Sequence, residues 1–342
     1  MLTTYHLEDG RLVIGANPPD VQPADAAAGD MTGDVTTARP LHAALWYDLL
    51  HPTPQELDGL SRALSLDLPT RDEMEEIELS SRLYVENGAT FLTVSALSSV
   101  DTADPVLAPV TFVLTSDAVV TIRYHEPRAL ATFTQRAQRV NMECDTPDRL
   151  LISLLEAMIE RIADILERES TGLDAIAKRI FRKNATSPRG GVDLGGILTA
   201  IGTHGELNSK LQESLVTFDR ITGFLAQVSL GWARPKTQRA RIKTLSRDVR
   251  SLTDHAGFQA GKITFLLDAT LGLVSIQQNG IIKIFSVAAV VFLPPTMIAS
   301  IYGMNFEVMP ELSWPWGYPF AISLMVLSAV LPYLFFKRRG WL

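Results

Sequence analysis

The sequence predicts an α+β membrane protein, with a small N-terminal α/β domain, long helices and two C-terminal membrane-spanning helices. Strand-like and short helix-like segments alternate over residues 1–146. Apolar residues then recur at helical spacing between charged ones over 147–280. Two apolar runs, 281–302 and 318–336, are long enough to cross a bilayer. The loop 303–317 joins these two spans.

Composition limits where the soluble part lies and what it binds. The 342 residues carry a formal net charge of −7 and a single cysteine, Cys144. A single cysteine cannot form an internal disulfide. A chain without disulfides is consistent with a reducing compartment. Residues 1–12 lack the basic region and apolar stretch of a secretory signal. The sequence contains no block of basic residues that would indicate binding to nucleic acid. We therefore expect the N-terminal part to be cytoplasmic.

The strands of the N-terminal domain are read from short alternating runs bounded by turn residues. The first two form a hairpin over 4–15, with Asp9-Gly10 as its turn. Residues 17–40 are rich in Pro, Ala, Gly and Asp, and we interpret them as a flexible acidic insert. The other predicted strands cover 44–49, 82–85, 90–96, 110–114 and 119–124.

Two short helices are predicted in the same domain. The run Thr53-Pro54-Gln55-Glu56 offers an N-cap, a proline at the first helical position and an acidic residue in the first turn. A helix should follow to about residue 64. The acidic run 72–78 is interpreted as a second helix. The domain should end near residue 146.

Three long helices follow. Residues 147–182 and 194–231 are each predicted as one helix, with a break rich in Pro and Gly at 184–193. A third helix should begin near residue 237, just after Pro235. No strong helix breaker follows for about fifty residues, so this helix should continue directly into the first apolar run.

Both apolar runs have the length of membrane spans. At 1.5 Å per residue, 281–302 reaches roughly 33 Å and 318–336 roughly 28 Å, against a hydrocarbon core of about 30 Å. The first run contains only Lys283 as a charged residue, and the second contains none. Buried core helices of a soluble protein are the alternative, but each run is too long and too free of charge for that.

Charge indicates the orientation. The connection 303–317 contains two glutamates and no lysine or arginine, whereas the tail 337–342 begins with three basic residues. Positive residues stay on the cytoplasmic side. We therefore expect both termini to be cytoplasmic, the short loop to lie outside, and the chain to reside in the inner, or plasma, membrane.

One face of the first span is mostly small or weakly polar. Its positions recur at steps of three and four residues: Asn279, Ile282, Ser286, Ala289, Leu293, Thr296, Ser300 and Gly303. Such a stripe could line a water path built by several subunits, or it could allow close helix packing. Spacing alone permits both. The side-chain oxygens of Asn279 and Thr296 favour a pore, because they can bond a hydrated ion.

The chemistry of this stripe favours passage of an ion with its water. It contains no carboxylate, and a small divalent cation loses its hydration shell reluctantly. Pro294 and Pro295 also leave two carbonyls, near Val290 and Val291, without their usual donors. Such groups are tolerated at membrane depth only when buried or facing a water-filled cavity.

The segment after the first span carries a specific motif. Tyr302-Gly303-Met304-Asn305, then Phe306-Glu307 and Met309-Pro310-Glu311-Leu312, resembles the signature loop of CorA-type magnesium transporters. The similarity covers roughly the last seventy residues. It includes Gln278-Asn279, Pro294-Pro295-Thr296, Trp314, Gly317-Tyr318-Pro319 and the closing run 337–342.

The resemblance implies a funnel-shaped homopentamer in the lipid bilayer, with the helix 237–302 lining the pore. It implies passive influx of hydrated Mg²⁺, with Co²⁺ and Ni²⁺ also accepted. Gly303, Met304 and Asn305 would form the selectivity filter at the outer mouth, where Gly303 and Asn305 hold the first hydration shell. Asn279 would ring the cytoplasmic end of the pore.

Hydrophobic constrictions are implied at Ile282, Leu293 and Phe285, where a narrow apolar ring gates by dewetting. Phe285 lies off the regular stripe, and its inclusion comes from the resemblance alone. In the outer loop, Glu307 and Glu311 could concentrate cations by their charge, although an ordinary solvated loop would carry the same residues.

The resemblance also implies feedback, in which Mg²⁺ bound between cytoplasmic domains neutralises facing carboxylates and holds the pore closed. Candidate metal ligands on the third long helix are Asp248, Asp254 and Asp268. Asp248 is favoured because the run 247–249 resembles relatives. A second acidic face of one helix comprises Glu156, Glu160, Asp164 and Glu167. A solvated helix face is the alternative for each of them.

Two other functions remain open. A zinc transporter of the same superfamily would have the same architecture, but those relatives usually carry a different residue at the position of Met304. A membrane-anchored helical scaffold or signalling protein would require neither Asn305 nor a polar stripe. An enzyme fits least, because the six histidines are scattered. No glycine loop that cradles phosphate is present, so neither ATP drive nor an organic cofactor is indicated.

Overall fold

A computed structural model of the chain describes residues 1–15, 44–102, 104–183, 193–232, 235–305 and 309–341. The predicted insert over 17–40 lies outside these residues. The chain divides into two compact units. The first comprises Met1–Gly191 and Thr199–Thr264, and the second comprises Val192–Leu198 and Phe265–Leu342.

The first unit contains a seven-stranded mixed sheet in the order β2-β1-β3-β7-β6-β5-β4. Its strands are β1 Leu2–Glu8, β2 Arg11–Ile14, β3 Trp46–Leu50, β4 Leu83–Glu86, β5 Ala89–Ser98, β6 Val106–Leu114 and β7 Val119–Arg123. Strands β3 and β7 run parallel, and the other neighbours are antiparallel. The predicted strands are confirmed, with ends that differ by a few residues.

The first hairpin has the predicted turn. Asp9 and Gly10 both adopt positive φ values, 48° and 76°. Both central residues of a type I′ turn need that conformation, which matches the twist of the two strands. The register pairs Glu8 with Arg11 directly across this turn.

The short helices of the domain are α1 Pro54–Leu64, α2 Arg71–Glu75 and α3 Leu79–Arg82. Helix α1 has a complete capping box, because Thr53 and Glu56 each bond the other's backbone amide. The predicted helix over 72–78 is present but shorter, since α2 ends at Glu75 and Glu76 has left the helical conformation. Five of those seven residues are acidic, and like charges three or four positions apart destabilise a helix.

Helix α4, Arg128–Arg139, was not predicted. It follows Pro127 and buries one apolar stripe, made of Ala129, Leu130, Phe133 and Ala137. The other positions are Arg, Thr and Gln, together with one further alanine. A pattern based on a single narrow stripe gives a weak signal in sequence.

Three long helices follow: α5 Pro147–Lys183, α6 Leu194–Val228 and α7 Pro235–Tyr302. All three confirm the prediction, although α6 ends in a 3₁₀ turn at Ser229–Gly231. Sheet residues alternate between two cores. On β7, Val119 faces the core shared with α4, α5, α6 and α7, whereas Val120 faces the core shared with α1 and α2.

The second unit contains the two apolar spans. The last part of α7 and the helix α8, Gly317–Arg338, are long and apolar enough to cross a membrane. Only 6% of each apolar window is buried, which is unlike the core helix of a soluble domain. The predicted fold class, an α/β domain with long helices and two apolar C-terminal helices, is confirmed.

The first unit also contains a buried histidine that bears on its pH stability. His125 is 8% exposed, and its Nε2 lies 3.0 Å from the carbonyl oxygen of Ala96. Its Nδ1 has no hydrogen-bond partner among the described residues. Burial lowers the pKa of His125 to about 4. The folded domain therefore holds this imidazole in its neutral form.

Acidification should destabilise this domain through His125. The unfolded pKa is about 6.5, so between that value and about 4 the unfolded chain binds the extra proton. Stability is unaffected above pH 6.5 and falls as the pH drops, by about 2 kcal/mol between pH 7 and pH 5. The free energy of unfolding of His125→Gln, measured with urea, should not show this difference between pH 7 and pH 5. The exposed His51, changed to Asn, should keep it, and an unchanged pH dependence in His125→Gln would contradict the assignment.

Candidate functional site

The first apolar span remains helical through two prolines. Helix α7 includes Pro294 and Pro295 in its interior. Because proline has no amide hydrogen, the carbonyls four residues earlier lose their donors. At the next position along the helix, the Thr296 hydroxyl donates to the carbonyl oxygen of Phe292 at 2.8 Å. The two carbonyls without proline donors therefore lie next to one that the Thr296 hydroxyl occupies.

The predicted stripe lies on the uncovered side of this segment. All eight of its residues are exposed: Asn279, Ile282, Ser286, Ala289, Leu293, Thr296, Ser300 and Gly303. Phe285, added from the resemblance, is 72% exposed. At 100° per residue, the less exposed positions cluster on roughly the opposite side. They are Val287, Ala288, Val291, Pro294, Pro295, Ile298 and Tyr302.

Helix α8 also has one less exposed stripe, made of Gly317, Ala321, Met325, Ser328, Ala329, Pro332 and Phe336. Beyond its end, the Trp341 ring lies 5.8 Å from Nζ of Lys283 on α7. This cation–π contact places the C-terminal tail beside the start of the first span. Within this unit, nothing in the described chain covers the predicted stripe.

The motif after the first span ends α7. The Gly303 amide donates to the Ala299 carbonyl at 3.0 Å, and the Met304 amide donates to Ile301 at 3.3 Å. A Cβ on Gly303 would stand 3.1 Å from the Ala299 carbonyl oxygen, which is a tight contact. Asn305 is exposed, and its amide makes no hydrogen bond to another described residue. The side chain is thus available to a ligand.

The two loop glutamates are placed differently. Glu307 lies outside the described residues. Glu311 belongs to a 3₁₀ helix, Pro310–Ser313, which leads to the start of α8. There the Trp314 ring packs 5.9 Å from Phe320.

The predicted regulatory aspartates do not meet within one chain. Asp248, Asp254 and Asp268 are all exposed on α7. Six residues separate the first two, a rise of about 9 Å, and Asp268 follows fourteen residues later. In the part of the chain that the structure describes, no three His, Cys, Asp or Glu side chains form a group that could hold a metal. Any site made by these aspartates needs a second copy of the chain.

The second predicted acidic face, on α5, is neutralised in part by arginine. Glu156 accepts two hydrogen bonds from Arg241 of α7, at 3.0 and 2.6 Å, and Arg241 also bonds Ser153. Glu160 and Asp164 line a cavity that further arginines share. Sequence spacing correctly placed these carboxylates together on one helix, but it could not show the facing arginines.

Helix α7 is tied to α5 by further polar contacts. Gln238 donates to Asp148, Gln259 donates to the carbonyl of Leu166, and Lys262 donates to Asp174. The Lys262 hydrogen bond lowers the pKa of the Asp174 carboxyl. One side of α7 is therefore bound to its own chain, while the side that carries Asp254 and Asp268 is exposed.

The family comparison covers most of the chain. The family described as CorA-like Mg²⁺ transporter protein has a model that matches residues 42–338. The magnesium transport protein CorA of Escherichia coli K12 is 34% identical over 310 residues, which are 90% of this chain and 95% of that protein. The protein of the same name from Pasteurella multocida is 33% identical over 345 residues and covers both chains completely.

Two solved structures share the fold. The complete structure of the CorA magnesium transporter from Methanocaldococcus jannaschii aligns with a TM-score of 0.70 and 18% identity, over 100% of this chain and 99% of that one. The full-length CmaX protein aligns with a TM-score of 0.64 and 13% identity, over 100% and 98%. At such low identities these likenesses concern the fold alone.

Proposed function

Since this chain belongs to the family of CorA-like Mg²⁺ transporter proteins, we propose that it mediates passive influx of hydrated Mg²⁺ across the membrane. The observation that carries this proposal is the exposed stripe of α7, which leads directly to Gly303 and Asn305. The protein is a transporter and not an enzyme. Mg²⁺ is its cargo, and Co²⁺ and Ni²⁺ pass by the same route.

The pore is formed by several copies of the chain. Two spans per chain cannot enclose a water path, and the exposed stripe supplies a face for the lumen. Five copies form a funnel-shaped homopentamer with α7 at the centre. This subunit number comes from the resemblance of the sequence to CorA-type transporters, and the exposure of the stripe is consistent with it.

Selectivity resides at the outer mouth. Five Asn305 amides accept hydrogen bonds from the waters around the ion, while Gly303 lets the backbone approach the same shell and Met304 completes the filter. Below it, the ion passes the side chains of Ser300, Thr296, Leu293, Ala289, Ser286, Phe285, Ile282 and Asn279. The apolar rings at Leu293, Phe285 and Ile282 close the path by dewetting. Glu307 and Glu311 raise the cation concentration outside.

The same proposal includes topology. The chain lies in the inner, or plasma, membrane with both termini cytoplasmic, because basic residues follow the second span and none occurs in the outer loop. The parts are the α/β domain 1–146, the long-helix stalk 147–280, the spans 281–302 and 318–336, and the tail 337–342.

Regulation by intracellular Mg²⁺ follows from the exposed aspartates of α7. Asp248, Asp254 and Asp268 repel their counterparts in neighbouring copies, and a divalent ion between copies relieves that repulsion. Binding of the ion to the assembled state stabilises it. High internal Mg²⁺ therefore holds the pore closed.

Ion flux into proteoliposomes tests the proposed function. Vesicles that contain the purified protein should take up Mg²⁺ down its gradient, without ATP, and faster than empty vesicles. Co²⁺ and Ni²⁺ should enter as well. Preloading with Mg²⁺ should slow uptake, and replacement of Asp248, Asp254 and Asp268 together by Asn should reduce that inhibition.

The comparison of cations separates the alternatives. Uptake of Zn²⁺ without Mg²⁺ would indicate the zinc transporter. Absence of flux for every cation, with a correctly assembled oligomer in the membrane, would favour a helical scaffold. Met304 argues against the zinc transporter, because zinc transporters of this superfamily usually carry a different residue at that position.

A further inference from the structure

The first unit contains a cavity that the transport path does not use. It has a volume of about 440 Å³ and lies between α4 and α5. Ala129, Phe133 and Ala157 form its apolar part, and Arg241 of α7 is among the residues that line it. This volume is within the range of small-molecule sites, about 300–1,000 Å³.

Charges of both signs line this cavity, and only some of them are paired. Arg136 of α4 and Arg161 of α5 contribute guanidinium groups, and Glu160 and Asp164 contribute carboxylates. Arg136, Glu160 and Asp164 are exposed at the mouth of the cavity, and among the described residues none of the three forms an ion pair. Arg241 is different, since Glu156 satisfies it by two hydrogen bonds.

Arg161 is poorly compensated as well. Its Nη2 lies 3.7 Å from Asp101, beyond hydrogen-bond distance. That carboxylate already accepts hydrogen bonds from Arg128 at 3.0 Å and from Arg168 at 2.6 Å. Burial and the neighbouring guanidinium groups of Arg168 and Arg128 lower the pKa of Arg161, although the carboxylates of Asp101 and Asp164 oppose that shift. An anion in the cavity would relieve this repulsion.

The mixture of charges indicates the class of ligand. Guanidinium groups bind phosphate oxygens, often through two hydrogen bonds. Mg²⁺ is commonly held by one or two carboxylates together with the phosphates of a bound nucleotide. Glu160 and Asp164, four residues apart, project from successive turns of α5. Two carboxylates alone are too few to hold the metal, which agrees with the absence of any larger metal-binding group among the described residues.

We propose that this cavity binds the Mg²⁺ complex of a polyphosphate, as carried by a nucleoside triphosphate. Arg136 and Arg161 contact the phosphates, and Glu160 and Asp164 contact the metal directly or through its water. The apolar wall accommodates the rest of the molecule. The inference does not depend on transport.

Equilibrium binding to the purified full-length protein in detergent tests the proposal. Mg·ATP and Mg·tripolyphosphate are titrated separately, which distinguishes a nucleotide from a bare polyphosphate. We expect saturable binding of at least one of them, and at least about tenfold weaker binding when EDTA removes the metal. Arg136→Gln and Arg161→Gln should each weaken binding about tenfold, because each removes charge-assisted hydrogen bonds to phosphate.

Matched controls keep the test specific. Arg139→Gln, on the same helix but outside the cavity, should bind like the wild type, and so should Glu167→Gln on α5. The double variant Glu160→Gln with Asp164→Asn should abolish the difference in affinity between the metal-bound and the metal-free ligand. Arg161→Lys keeps the positive charge. Comparison of its affinity with that of Arg161→Gln shows whether the loss of binding follows from the lost charge or from misfolding.

Three results would overturn the proposal. The first is a lack of saturable binding up to millimolar concentrations of Mg·ATP and Mg·tripolyphosphate. The second is equal affinity with and without the metal, and the third is unchanged affinity in Arg136→Gln and Arg161→Gln. A change of oligomeric state in Arg136→Gln without any ligand binding would mean that a neighbouring copy fills the cavity instead. Because none of these measurements requires flux, a failure here is distinguishable from a failure of the transport function.

Discussion

Replacing Arg123 by methionine is expected to destabilise the N-terminal unit by about 3–5 kcal/mol, because it leaves the Asp48 carboxylate buried without its cation. Arg123 donates to Asp48 through Nη2 at 2.7 Å and Nε at 3.0 Å. Their side chains are only 12% and 8% exposed. Methionine fills a similar length of side chain, so the loss should reflect charge more than volume.

The pair has a structural position that explains this expectation. Asp48 lies on β3 and Arg123 on β7, neighbouring strands that run parallel. The Thr121 hydroxyl also donates to Asp48 at 2.6 Å, and the Trp46 indole donates to that hydroxyl at 3.1 Å. Loss of the guanidinium therefore leaves one hydroxyl as the remaining donor to a buried carboxylate.

Urea unfolding of the full chain, followed by hydrogen exchange of the β3 and β7 amides, measures the effect. The double variant Asp48→Leu with Arg123→Met should recover most of the loss, since a matched apolar pair has no uncompensated charge. Glu75→Gln, which breaks the exposed pair with Arg71, should cost less than about 1 kcal/mol. A single variant as stable as the wild type would show that water reaches Asp48.

Local signals account for the parts of the fold that the sequence predicted. The turn at Asp9-Gly10, the capping box at Thr53 and the strands of alternating pattern each depend on neighbours within a few residues. Helix α4 was missed because its only signal is a narrow apolar stripe that includes Phe133. The end of α2 at Glu75, short of the predicted residue 78, reflects charge repulsion, which periodicity does not measure.

Contacts between distant residues could not be read from the sequence. Glu156 and Arg241 are 85 positions apart, and Asp48 and Arg123 are 75 apart. Because nothing in either local pattern pairs them, the acidic face of α5 was interpreted from its carboxylates alone, as a candidate cation site or a solvated helix face. The structure places arginines opposite it, and the cavity they share with Glu160 and Asp164 was therefore unforeseen.

The pore face was more accessible to sequence reasoning, since one helix defines it. A stripe at steps of three and four residues depends only on helical geometry. The structure leaves all eight positions exposed, and roughly opposite them lie the less exposed positions, among which Val287 is buried. The roles of these residues, including the filter at 303–305, stay predictions.

The largest effect on transport is expected at the outer mouth. Asn305→Ala should reduce Mg²⁺ uptake more than about tenfold, which corresponds to a barrier increase of 1.4 kcal/mol or more. The Asn305 side chain is exposed just after the end of α7 and makes no hydrogen bond to another described residue. Its removal therefore takes away contacts to the hydrated ion and leaves the packing of the chain unchanged.

The charge at this position separates binding from conduction. Asn305→Asp would surround the ion with a ring of carboxylates, which bind Mg²⁺ more tightly and release it more slowly. Conduction requires binding that is favourable enough for entry and weak enough for exit. We therefore expect Asn305→Asp to change the order of preference among Mg²⁺, Co²⁺ and Ni²⁺, or to slow flux at saturating Mg²⁺.

The control lies in the same loop. Ser313 is exposed, and its hydroxyl donates only to the Pro310 carbonyl at 2.8 Å, so Ser313→Ala should transport normally. Flux into proteoliposomes and the mass of the detergent-solubilised oligomer are measured for all three variants. An intact oligomer with lost flux in Asn305→Ala assigns the residue to the filter. Normal Mg²⁺ uptake by Asn305→Ala would instead remove 303–305 from the selectivity site and require the ion to be chosen deeper along α7, at the level of Thr296 or Asn279.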